Sequence, residues 1–489
     1  GDSSSYPSEL RLSGDRLTNT ERSTLSSARL PSQVSDPLAP APDAPHARTV
    51  LAIGSLGFFL ITLDISIVNV ALPAITRDLG GGTPGQQWTI DGYTLLFAAL
   101  LLFAGNLADR IGAKKALGLG IITFTFASAA CAAAPTIGML VAARCIQGAG
   151  AAVLLPASMA LIREAFPDGR RRARALGVWA VGGAVAALVG QPLGGLLTTV
   201  DWRLVFLVNL PVGVGMVVFL LTVATSPTRP ASFDWAGQIL AIVALTGLVY
   251  GLIAGGHAGF ASPAVIVTLV VACLAIVAFV IVQARVDHPM MPLGLFRSKG
   301  FRIALSVGFA FMVGNYGNVF TTSLFLQQYL GLSPLHAGLV YIPSAVFAIT
   351  GNLASGPITN RFGPRVPVVA GQLLMVIGLA AQLATIHLKS VPLVALCVIP
   401  IGAGGALAMP AVTSVVLDGV DPHQAGTASA VFNTFRQVGG AVAVAVFGSL
   451  IAASKTFLPG VRVSLAIAAV LLLLTALISL QVRTTQATP

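Results

Sequence analysis

Gly105-Asn106-Leu107-Ala108-Asp109-Arg110-Ile111-Gly112-Ala113-Lys114 joins two long apolar segments, and a related turn, Gly356-Pro-Ile-Thr-Asn360-Arg361-Phe-Gly363-Pro-Arg365, follows 251 residues later. Both copies place glycine, a polar residue, arginine and glycine at identical spacing. A second pair, Gly148-Ala-Gly-Ala-Ala-Val-Leu-Leu-Pro156 and Gly402-Ala-Gly-Gly-Ala-Leu-Ala-Met-Pro410, recurs at the nearby offset of 254. A chain with two such offsets is built from two copies of one unit in parallel sense. Repeats of this kind pack around a pseudo-twofold axis and leave a binding site at their interface, near the bilayer midplane.

The units belong in a membrane. With 55% hydrophobic and 9% charged residues and a mean hydropathy of +0.88, the chain has too few polar groups to coat a soluble globule. A bilayer-spanning helix needs about 20 mostly apolar residues. Runs of that kind fall at 50–75, 87–108, 114–134, 137–163, 174–198, 203–225, 235–255, 262–284, 301–330, 336–360, 365–386, 391–416, 424–453 and 461–481. The expected fold is all-α: two six-helix bundles, 50–225 and 300–481, with two extra central helices in 226–299. Residues 1–49 read as a disordered cytoplasmic tail and 482–489 as a second, short tail.

The net charge of +11 does not point to nucleic acid, because Lys and Arg sit in short clusters between apolar runs. When the loops are numbered alternately, 21 of the 28 basic residues fall on the side of both termini and five on the other. The positive-inside rule then puts both termini in the cytoplasm. Cys131, Cys145, Cys273 and Cys397 lie far apart within apolar runs, offering neither a disulfide framework nor metal-ligand spacing. No His/Cys cluster or paired acid in a loop suggests a membrane enzyme, and the N-terminal tail is short for a sensor domain.

A few polar residues stand out inside the spans. Asp64 is sixteen residues beyond Arg48, or roughly 24 Å of helix, well inside the hydrocarbon. An acid there costs about 2.5–3.5 kcal/mol on insertion scales, so it should face a cavity or a partner. Burial disfavours its ionised form and suits it to loading and releasing a proton; a structural, hydrogen-bonded acid is the alternative. Asp91 lies near the start of the second span, either in this role or solvated beside Trp88. Arg144, Gln147 and Gly148 share one helix face. The guanidinium needs an acceptor such as Asp64, a carbonyl or substrate. In the fifth span Gly182, Ala186, Gly190 and Gly194 form a small-residue ladder, with Gly183, Ala187, Gln191 and Gly195 on the adjoining row and Pro192 able to bend the helix. That ladder suggests close packing or, more sharply, a sliding contact between halves. In the second half Asn315 takes the repeat position of Asp64, Asn360 that of Asp109, and the apolar Val398 that of Arg144. Buried charge is thus concentrated in the first half. Asn315, Asn318, Gln327 and Gln328 could bind substrate or cross-link helices, and Arg436 could attract an anion or clamp a helix.

These residues resemble the major facilitator superfamily, specifically its fourteen-span drug:proton antiporter family. The likeness covers about 50–481. The carriers are Gly105-x-Leu107-x-Asp109-Arg110-x-Gly112, Leu63-Asp64 through Ala71-Leu72-Pro73, Arg144 through Gly150, and Trp202-Arg203 with Phe206, Asn209 and Pro211. One departure is Gly190-Gln191-Pro192-Leu193-Gly194-Gly195, where proline is displaced by one position from the family's fifth-span motif. The resemblance implies proton-coupled export of hydrophobic or amphipathic compounds across the cytoplasmic membrane. In it Asp64 binds the coupling proton and Arg144 assists, with Asp91 a further candidate. Gly105, Asp109, Arg110, Gly112, Lys114 and Arg361 in the turns, with Gly190, Pro192, Gly194 and Gly195, would gate the motion. Gln147, Gln191, Asn315, Asn318, Gln327 and Arg436 are candidates for the cavity. A proton gradient replaces any cofactor or metal, and the expected state is a monomer. A metabolite exporter or importer of the same fold is the alternative.

Overall fold

The computed structural model describes residues 46–228, 233–418, 420–421, 424–454 and 456–482. Most of the expected N-terminal tail and the chain beyond residue 482 lie outside the described residues. Fourteen helices are long and apolar enough to span a membrane: α1 Ala47–Leu79, α2 Gly82–Ile111, α3 Ala113–Ala132, α4 Ile137–Ala165, α5 Arg174–Val200, α6 Leu204–Leu221, α7 Trp235–Ala258, α8 Pro263–Arg285, α9 Lys299–Tyr329, α10 Pro334–Phe362, α11 Arg365–Leu388, α12 Val391–Asp418, α13 Ala425–Ala453 and α14 Phe457–Ser479. Several outrun their apolar cores. At 33 residues α1 is about 50 Å long, so its polar ends, Arg48 and Arg77-Asp78, stand beyond the hydrocarbon. Side-chain caps start many of them. Thr136, Asp234, Ser298 and Ser333 each accept the backbone N–H three residues on, satisfying a donor that a helix leaves orphaned.

Glycine contacts display the twofold repeat. Gly120 of α3 lies against Gly150 and Leu154 of α4, and Gly371 of α11 lies in the same way against Gly404 and Ala408 of α12. Gly182 of α5 touches the Ser55 backbone of α1, as Gly439 of α13 touches the Phe309 backbone of α9. A side chain at these crossings would collide with backbone, so the small residue sets the interhelical distance. The ladder on α5 is therefore a contact within one half. Gly182, Gly190 and Gly194 pack on Ser55, Ser66 and Ile67 of α1. The adjoining row reaches the other half: Gly195 meets Pro334 and Leu335, and Gln191 and Pro192 meet Gly338.

The two extra helices form an outer hairpin across both halves. Gln238 of α7 donates to the Ala99 carbonyl of α2 at 2.9 Å, and Ser449 of α13 donates to the Leu252 carbonyl of α7 at 2.8 Å. Asp234 holds the base of the hairpin, accepting from Gly237 N, Gln283 Nε2 and Met290 N. Beyond it, α8 presents Val267 and Leu274, both more than 60% exposed, as lipid-facing surface.

The halves meet differently at their two ends. Away from the duplicated turns they are joined: Ser323 donates to the Asn69 carbonyl and Gln327 to the Val70 carbonyl, both at 3.0 Å, while Gln87 donates to the Ala445 carbonyl at 2.7 Å. At the turn end a cavity of about 590 Å³ opens between α2, α4 and α13, lined among others by Leu102, Asn106, Pro156, Arg163, Thr427 and Ala430.

Candidate functional site

Gly148 makes the site possible. It lacks a side chain where α4 passes the Tyr93 backbone of α2, so the two helices touch directly. That approach brings Arg144, one turn back on α4, within 2.9 Å of the Thr89 carbonyl through Nε. One guanidinium nitrogen donates to Asp64 Oδ2 on α1 and to Gln147 Oε1, the latter at 2.7 Å. Asp64 Oδ1 accepts from Gln147 Nε2 at 2.8 Å and from Asn209 Nδ2 on α6 at 3.2 Å. Ser128 on α3 closes the ring, accepting from Gln147 at 2.8 Å and Asn209 at 3.4 Å. The guanidinium lies 4.4 Å from the Tyr93 ring centroid and 5.8 Å from that of Phe206.

Five helices of the first half thus converge on one ion pair. Asp64, Gln147, Ser128 and Asn209 are fully buried and Arg144 is 1% exposed. A buried pair gains from mutual attraction only when hydrogen bonds satisfy its remaining donors and acceptors, and each Asp64 oxygen has a partner here. Gln147, expected at the cavity wall, instead belongs to this network. Asn209 carried only a resemblance in the sequence, and a buried amide in an apolar span was the available signal. Ser128 and the Thr89 carbonyl left no comparable trace.

Asp91 departs from the solvated alternative. It is fully buried and neither carboxyl oxygen has a hydrogen-bond partner. It sits one turn from Gln87 on the face of α2 that meets α13. An ionised carboxylate there, without a partner, would carry a desolvation cost of several kcal/mol or more.

The turns are asymmetric. Gly112 and Gly363 both take left-handed backbone, φ 89° and 78°, which explains glycine at the end of each copy. The first turn is docked: Lys114 N donates to Ser226 Oγ at 3.0 Å, its ammonium donates to the Val223 carbonyl, and Gly112 lies against Ser226. Asp109 and Arg110 are exposed, with Arg110 over the Phe233 ring at 4.9 Å. Gly105 has open space around it and borders the cavity. Arg361 is exposed and lies over its neighbour Phe362.

The second half holds its polar residues apart. Asn318 is buried and donates to Gln382 Oε1 at 2.6 Å, a cross-link inside that half. Gln327 joins the halves, as described above. In the first half, Gln191 of α5 is buried, with Oε1 unpartnered. Asn315 is half-buried on α9, one turn beyond Phe311. Arg436 on α13 is also half-buried: one guanidinium nitrogen donates to Asn433 Oδ1 at 3.1 Å, and Nε has no partner. Phe311 and Phe432 flank it, with ring centroids 5.8 and 5.7 Å away.

Comparison with known proteins agrees with this architecture. The multidrug resistance protein Stp of Mycobacterium tuberculosis is 38% identical over 410 residues, 83% of this chain and 76% of that protein. The methylenomycin A resistance protein of Streptomyces coelicolor is 36% identical over 429 residues, 86% and 89% of the two chains. A crystal structure of a POT family transporter in complex with 5-aminolevulinic acid superposes with a TM-score of 0.67 at 15% identity, covering 89% of this chain and 96% of that one, a likeness of fold. Residues 54–444 match the Major Facilitator Superfamily profile. With fourteen membrane-spanning helices, a twofold repeat and this match over most of its length, the chain belongs to the major facilitator superfamily of membrane transporters.

Proposed function

We propose that the protein is a proton-coupled antiporter that exports hydrophobic or amphipathic compounds, including drugs or antibiotics, from the cytoplasm by alternating access. The observation that carries this reading is the Asp64–Arg144 network, an acid and a cation paired and sealed inside the first half. The names of the relatives support export of toxic compounds. The excess of basic residues on the side of the turns supports placing that side in the cytoplasm, with both termini there and the protein in the cytoplasmic membrane.

In this reading the conformation described is inward-facing, closed at the outer end by the Asn69, Val70 and Ala445 contacts. Asp64 is ionised and paired with Arg144. Outward opening lets an external proton reach Asp64. The neutral acid then loosens its hold on Arg144, which keeps its charge and stays bound to Gln147 Oε1 and the Thr89 carbonyl. The network thereby links protonation to the relative positions of α1, α2, α4 and α6. Return to the inward state gives up the proton. Asp91, at the seam of α2 and α13, is a second proton site, shielded when the seam is closed and solvated when it opens. Glycines 105 and 112, with Asp109, Arg110 and Lys114, gate the cytoplasmic end, and the protein works as a monomer.

Reconstitution into liposomes tests the reading. An imposed proton gradient, acidic on the outer side, drives substrate in the opposite direction in the wild type. Absence of gradient-driven flux for a panel of amphipathic dyes, or unchanged proton dependence in Asp64→Asn, would refute it.

A further inference from the structure

Arg436 is the cation that the proton network leaves unexplained. A guanidinium carries five N–H donors and stays charged inside a protein. Arg144 meets that demand with Asp64, Gln147 and the Thr89 carbonyl. Arg436 has one neutral partner, Asn433, and its Nε, shielded from solvent, has none. No ion pair involves it among the described residues. Charge held this way in a membrane is costly unless an acceptor arrives.

Its surroundings indicate what would arrive. Phe311 and Phe432 flank the guanidinium with apolar surface, and Gly308 of α9 leaves room for the Arg436 stem. The free amide of Asn315 lies one turn from Phe311 on the same helix face. Along α13, Asn433 is one turn deeper than Ala430, which lines the cavity open at the turn end. A planar guanidinium matches a carboxylate through two parallel hydrogen bonds, a fit that an ammonium or an ester cannot make. We infer that Arg436 is a specificity-determining anchor for a carboxylate, and that the transported compounds are amphipathic anions whose flat apolar body packs on the partly exposed Phe311, beside Asn315.

This inference rests on the exporter reading for its transport role, but binding tests it separately. The probes are anthracene-9-carboxylate, its methyl ester and 9-(aminomethyl)anthracene, titrated into the purified full-length protein in detergent. The wild type is expected to bind the carboxylate roughly tenfold or more tightly than either analogue, the scale of a charge-assisted hydrogen bond. Arg436→Gln removes that preference, and Arg436→Lys, which keeps the charge but not the fork, retains part of it. Equal affinities, preference for the ammonium, no measurable binding, or an unchanged ratio in Arg436→Gln would overturn the inference. If Arg436→Gln does not fold, the wild-type ratio and the Lys variant decide. Flux of the same probes in proteoliposomes separates the two ideas: selective carboxylate binding without gradient-driven flux sinks the antiporter reading and leaves the anchor standing.

Discussion

The two halves share a backbone plan and differ in how they treat buried charge. In the first, an arginine is neutralised by an acid and held by helices α1, α2, α4 and α6. In the second, Asn315 and Val398 stand at the repeat positions of that acid and arginine, and Arg436 rises from a different helix with one neutral partner. The glycine crossings that set interhelical distances are kept in both. Packing is symmetric and buried charge is not.

Removing each arginine should break the comparison most visibly. Arg144→Ala strands Asp64 in the core and should cost about 3–5 kcal/mol, read as a large drop in unfolding temperature in detergent together with loss of flux. Arg436→Ala removes one neutral hydrogen bond and should cost about 1 kcal/mol. Equal losses would mean that Arg436 is as structural as Arg144. Next, Asp64→Asn should reduce gradient-driven flux to background while the protein still inserts and folds, and a variant that pumps normally would move the coupling elsewhere.

Packing gives a smaller contrast. Gly148→Ala would press a methyl group on the Tyr93 backbone, whereas Gly402→Ala meets the hydroxyl of Ser344 first. The first should cost about 1–3 kcal/mol and the second less, by thermal unfolding of the two variants. At the turns, Lys114→Ala should cost about 1 kcal/mol by removing the ammonium's bond to the Val223 carbonyl while the backbone bond to Ser226 stays, and Arg365→Ala should stay within about 0.5 kcal/mol of the wild type. The smallest effect is expected at Asp91. Its carboxyl lacks partners, so Asp91→Asn should leave the unfolding temperature unchanged or raised, in contrast to any acid that is paired. A clear fall would show that Asp91 has a partner in the folded protein.

Much of this was legible in the residues. Fourteen apolar runs mark fourteen helices because a helix is one of the few structures that satisfies its backbone in lipid. The Asp64–Arg144 pairing was open as one of three options for the guanidinium, since charge inside a span demands a countercharge. What stayed hidden were contacts between distant segments. Nothing in the run around Ser128 marks it as the hydroxyl between Gln147 and Asn209. The spacing of Gly182, Gly190 and Gly194 announces close packing but not its partner, and the structure gives them to α1.

The sequence by itself determined the membrane class, the number of spans, the internal repeat and the concentration of buried charge in one half. These follow from hydropathy and spacing, which act locally along the chain. Only the tertiary structure decided that Gln147 joins the ion pair rather than the cavity, that Asp91 is buried without a partner, and that Arg436 lacks the acid that Arg144 has. Burial and pairing are properties of several helices at once, set by where Gly148, Gly120 and their repeat mates let backbones meet, and no single helix carries that information.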